Sequence, residues 1–140
     1  MKSIQFKLAV AVLASSILLV VSCKKEAASA PPTTQEKVLG KWKIQSVVDN
    51  FYYSGSAHIL AYPIGATDYA DFRNDGKIYF YEFGNYDTTG YGIISDTKLW
   101  LDTPADIYDI QALTNSAMKL YQKDISSLPD YIETTSSFSK

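Results

Sequence analysis

One cysteine, one histidine and one arginine are all that the 140 residues hold of three side chains that commonly build metal centres, redox pairs and anion clamps. A single cysteine forbids an intrachain disulfide, so the fold is held by packing. The lone His58 has no Cys or second His to complete a zinc site or a thiol–imidazole couple. No serine sits in a G-x-S-x-G elbow, and no Asp-x-Asp-x-Asp-Gly loop is present for calcium. The acidic pairs Asp68 with Asp71 and Asp102 with Asp106 therefore read as turn and strand-end solvation rather than acid–base machinery. No catalytic residue, metal or cofactor is expected. Basic excess is also lacking: Lys+Arg 13 against Asp+Glu 15 gives a formal net charge of −2, which argues against a nucleic-acid partner. Beyond the first two dozen residues no segment sustains a 3.6-residue apolar period, so a helical body is excluded as well.

What is present begins with a leader. Lys2 and Lys7 precede an uncharged apolar run from Leu8 to Val21, shorter than the ~20 residues that span a bilayer and matching a secretory signal core. Val20-Val21-Ser22-Cys23 resembles the lipobox of bacterial lipoproteins. That resemblance implies cleavage before Cys23 and acylation of its thiol with palmitate-type chains. Each buried CH₂ adds on the order of 0.8 kcal/mol, so a multiply acylated cysteine anchors durably without a transmembrane helix. Lys24 stands where an inner-membrane retention aspartate would, so the resemblance points to the outer membrane, with the leaflet unspecified. Loss of the leader removes Lys2 and Lys7 and no acid, making the mature part more acidic still. Residues 23–34, with Pro31-Pro32, read as a lipidated N-terminus and a flexible linker.

The remainder, 35–140, reads as one all-β domain. Its 11 tyrosines favour strands over helices. Thr33 and Glu36 have capping-box spacing for a short turn that ends near Gly40. Lys41 to Val48 alternates, with Trp42, Ile44, Ser46 and Val48 on one face. Asn74-Asp75-Gly76 between two alternating runs signals a hairpin. If its loop has three residues, Phe72 faces Ile78 and Ala70 faces Phe80; a two-residue loop shifts the register. Further short strands follow, about eight in all and meander-spaced, and a sheet of that size usually closes to remove its edges. Residues 51–64 read as either a hairpin or an omega-like flap.

Gly40-Lys41-Trp42, Phe72-Arg73-Asn74-Asp75-Gly76, Tyr91-Gly92-Ile93-Ile94 before Leu99-Trp100-Leu101, and Tyr108-Asp109-Ile110 before Met118-Lys119-Leu120 together resemble bacterial lipocalin-like domain lipoproteins. The resemblance implies a small eight-stranded antiparallel up-and-down barrel with Trp42 closing one end. Two departures stand out. The only arginine, Arg73, lies in a hairpin and the C-terminus offers only Lys140, so closed-end packing is expected to differ. The domain is also shorter than a typical ligand-carrying lipocalin.

The inward candidates, which would line a core or a ligand site, are Trp42, Ile44, Phe72, Ile78, Phe80 and Ile94, with Leu99, Tyr108, Ile110, Met118 and Leu120. Most are bulky, so a filled interior is expected ahead of an open cavity. Tyr52, Tyr53, Tyr62, Tyr79, Tyr81, Tyr86 and Tyr91 are the outward candidates for a recognition surface. The leading expectation is a monomeric, non-enzymatic, membrane-tethered domain that binds a small hydrophobic ligand or envelope component. The alternative is a solid barrel contacting an envelope protein or glycan through its tyrosine-rich exterior, and an enzyme ranks third.

Overall fold

A computed structural model describes residues 30–127 and 130–140; the leader, Cys23 and the start of the linker lie outside the described residues. One compact unit runs over Pro32–Lys140. It opens with a single helical turn, α1 (Thr34–Val38), fixed by the capping box: the Thr33 hydroxyl accepts from the Glu36 N–H, and the Glu36 carboxylate accepts from the Thr33 N–H at 2.7 Å. Nine strands follow among the described residues: β1 (Gly40–Tyr53), β2 (Ser56–Ala61), β3 (Tyr69–Phe72), β4 (Lys77–Glu82), β5 (Asn85–Ser95), β6 (Lys98–Leu101), β7 (Ile107–Leu113), β8 (Ala117–Ser127) and β9 (Asp130–Ser139).

All strand pairs are antiparallel, and β9 pairs with both β8 and β1. Strands β1 and β3 to β9 thereby close into an eight-stranded barrel, and closure satisfies the backbone groups that an open sheet would leave at its margins. The ninth strand is an appendage. The long β1 gives residues 40–43 of one edge to β3 and residues 48–53 of the same edge to β2. Residues 51–61 thus form a hairpin, turned at Ser54 and Gly55, both at positive φ. The β3–β4 hairpin takes the three-residue form: Gly76 adopts φ +76°, a conformation open to glycine without penalty, and Phe72 faces Ile78 while Ala70 faces Phe80.

Inside the wall, Val38, Trp42, Ile44, Phe72, Ile78, Leu99, Met118 and Leu120 are fully buried. Two irregularities correct the expected inward faces. A bulge in β1 between Ile44 and Ser46 reverses the alternation, so Val47 packs against the core where Ser46 and Val48 were expected. In β5 the inward phase runs through Tyr91 and Ile93. Ile94, expected to line the core, is 50% exposed, and Tyr91, expected on the outside, is 3% exposed. The physical reason lies on β6. The Trp100 ring covers Gly90 and Gly92 on the outer wall, where a Cβ on Gly92 would run into the indole and one on Gly90 would press against it. The outward positions of this stretch are therefore the ones without side chains, and Tyr91 turns in.

Trp42 seals the α1 end of the barrel. Its indole N–H donates to the Val38 carbonyl at 2.7 Å, which satisfies the one polar atom of a fully buried ring. Lys140 covers it. The ammonium lies 4.2 Å from the Trp42 ring centroid and donates to the carbonyls of Lys37 and Leu39 at 3.1 and 2.8 Å. Lys140 thus sets a cation over the tryptophan, and burial holds its pKa below the ordinary lysine value.

Candidate functional site: the open mouth of the barrel

The strands that pack solidly around Trp42 become polar toward their other ends. On β4 the inward residues run Ile78, Phe80, Glu82, and on β9 they run Phe138, Ser136, Thr134. The facing positions on β5 are Asp87 opposite Phe80 and Thr89 opposite Ile78. Side chains there are too small or too hydrophilic to meet across the barrel. A cavity of about 550 Å³ results, open at the mouth. Its floor is Ile44, Phe72, Leu120 and Phe138, its walls include Val47, Phe80, Leu101 and Tyr108, and its rim carries Glu82, Asp87, Asp102 and Thr134. The expected filled interior holds at the α1 end and is corrected at this one.

The rim has a definite electrostatic character: among the described residues no lysine, arginine or histidine lines the cavity. The Asp102 carboxylate accepts from the Thr89 hydroxyl at 2.8 Å, and Asp87 accepts from the Thr88 N–H at 2.7 Å. Asp49, directly opposite Thr134 across the β1–β9 seam, accepts from the Thr134 and Tyr62 hydroxyls. No described residue donates to the Glu82 carboxylate. Partial burial, followed by repulsion from Asp68 and Asp87, pushes its carboxyl above the ordinary glutamate value. Burial likewise raises the Tyr108 phenol, with Asp106, Asp49 and Asp102 adding to the effect.

Five of the inward candidates line this cavity: Ile44, Phe72, Phe80, Tyr108 and Leu120. Trp42, Ile78, Leu99 and Met118 are buried elsewhere in the core, with Ile110 packed against it, and do not line the cavity. Leu101 and Glu82 are legible by extending the alternation of Leu99 and of Ile78 and Phe80, whereas Val47 is hidden by the bulge. The acidic pairs do not converge on shared chemistry. Asp68 accepts from the Gly65 N–H, Asp71 pairs with Arg73 at 2.8 Å, Asp102 bonds Thr89, and Asp106 accepts from the Thr103 hydroxyl. Among the described residues no cluster of three His, Cys, Asp or Glu side chains is arranged to hold a metal ion. His58 lies on the exposed β2 with its ring 5.6 Å from that of Tyr53.

No described helix is long and apolar enough to cross a membrane. Comparison of the chain with protein-family models, with curated proteins and with solved structures gives no match.

Proposed function

We propose that this chain is a lipocalin-like lipoprotein, tethered to the outer membrane through an acylated Cys23, whose barrel holds a small amphipathic molecule without transforming it. The observation that carries the reading is the cavity: an apolar floor beneath a rim of carboxylates and hydroxyls, of the size that small-molecule sites have. Apolar surface offers affinity, and the rim sets orientation. A ligand seated there places its hydrocarbon part against Phe80, Leu101 and Phe138 and its polar end at Glu82, Asp87 and Asp102. Because every ionisable rim group that is charged at neutral pH is an acid, the polar end is uncharged or cationic. A fatty-acid carboxylate would meet repulsion.

Dodecylamine, dodecanol and dodecanoate share one chain length and differ in head charge. Titrated into the protein with displacement of an environment-sensitive dye, the amine and alcohol should bind and the carboxylate should not. Ser136→Trp, which fills the cavity, should abolish uptake while preserving the β-sheet circular dichroism. Retained uptake by a folded Ser136→Trp protein would remove the cavity as the site. The anchor is tested separately: Cys23→Ala should move the protein from the membrane to the soluble fraction, and a variant that stays with the membrane rejects lipidation.

A further inference from the structure

A second site is written into the outside of the same wall. Strand register places Lys43 opposite both Ser139 on β9 and Tyr69 on β3, Tyr69 opposite Tyr81 on β4, and Tyr81 opposite Tyr86 on β5. Directly opposed residues share a face, so one lysine and three tyrosines form a continuous cross-strand row. Their rings make a platform. Those of Tyr69 and Tyr81 are 5.8 Å apart and inclined by 24°, and those of Tyr81 and Tyr86 are 4.8 Å apart and inclined by 49°. Lys41, two residues before Lys43 and on the same side of β1, sets its ammonium 3.4 Å from the Tyr69 ring centroid. With Ala66 and Thr67 as one bank, these side chains bound an open groove of about 550 Å³ on the barrel exterior.

Strand propensity alone accounts for outward tyrosines. It does not account for the charge beside them. Lys98, Lys123 and Arg73 each face a carboxylate, namely Asp109, Glu133 and Asp71. Lys43 has no such partner among the described residues, and the acid across the strand from Lys41 is Asp71, already engaged by Arg73. The single Asp or Glu among the described residues that line the groove, Asp68, is 2% exposed and turned to the Gly65 N–H. The groove is thus a cationic, aromatic surface on a chain of net negative charge.

We propose that this groove binds an acidic oligosaccharide, its C–H faces stacked on Tyr81 and Tyr86 and a carboxylate held by Lys43 and by Lys41, which Tyr69 positions. Aromatic rings with polar tips suit a ligand that has flat apolar faces edged by hydroxyls. Two competing occupants fit less well. A peptide adding as a strand needs a free sheet edge, and here the backbone is already paired within the closed wall. A single-stranded nucleic acid needs a run of cations along its phosphates, and of the three lysines that line the groove Lys140 is engaged by the Lys37 and Leu39 carbonyls, which leaves Lys41 and Lys43.

The test uses the full chain and three probes: an oligogalacturonate, the neutral galactose oligomer of equal length, and oligo-dT. The uronate oligomer should bind in calorimetry, more weakly as salt rises, and more tightly than the neutral oligomer or oligo-dT. Lys43→Glu and Tyr86→Ala should each weaken it about tenfold or more. Tyr86 is 78% exposed, so its loss leaves the fold intact. Both variants should retain dye uptake by the interior cavity, which separates this site from that one. Absence of uronate binding, equal affinity for the neutral oligomer, preference for oligo-dT, or unchanged affinity in Lys43→Glu would each overturn the proposal.

Discussion

The two ends of the barrel are made by the same strands and finish as opposite environments. At the α1 end, Trp42, Ile78, Leu99 and Met118 meet in contact, and the one buried indole N–H has its acceptor. At the mouth, β4 and β9 carry Glu82 and Thr134 at positions in phase with Ile78 and Phe138, and the centre is empty. Closure of a sheet therefore does not decide whether a small barrel is solid. What decides it is the gradient of side-chain size and polarity along each inward row. Stability resides at one end and room for a ligand at the other.

The sharpest way to break this contrast is Trp42→Ala, which should cost roughly 3–5 kcal/mol in urea unfolding, the range for a buried aromatic truncated in a packed core. A loss below about 1 kcal/mol would show that the α1 end does not carry the fold. Next comes a paired substitution on β6. Leu99→Ala removes a fully buried side chain and should cost about 2–5 kcal/mol, whereas Leu101→Ala, already facing the cavity, should cost less than half of that. Equal losses would erase the distinction between the ends. Lys140→Met keeps much of the packing over Trp42 but removes two hydrogen bonds and a cation, and should cost about 1 kcal/mol by the same measurement. The smallest effect is read as a slope. Glu82 binds its proton more tightly in the folded state, so its contribution to stability falls as pH rises from about 4.5 through the raised value. Glu82→Gln should flatten that decline and raise the unfolding midpoint at neutral pH; an unaltered profile would mean that Glu82 is fully solvated.

The fold was largely legible because antiparallel strands advertise themselves through alternation and turn chemistry. Asn74-Asp75-Gly76 predicts the β3–β4 hairpin, and the three-residue alternative proves to set its register. Thr33 and Glu36 predict the capped turn that α1 adopts. Phase was lost wherever an extra residue enters a strand or an outward place is vacated. Val47 follows a bulge, and the outward positions flanking Tyr91 on β5 are Gly90 and Gly92 beneath an indole contributed by another strand, a cross-strand cause that local alternation does not display. The mouth was missed for a related reason. A search for apolar inward residues selects the packed end and passes over Glu82, Asp87 and Thr134, whose polarity is what keeps the interior open.

The seam between β1 and β9 also bears on how the molecule is made. Gln45 and Ser139, joined across it by a hydrogen bond, are 94 residues apart in the chain. Bringing such distant partners together costs loop-closure entropy before any contact repays it, and non-local pairings of this kind slow folding. Until β9 arrives, the β1 margin it will occupy and the Trp42 ring that Lys140 will cover remain exposed. During synthesis the wall can shut only when its last strand is delivered, so the interval before that moment is when this chain most needs shelter from association with others.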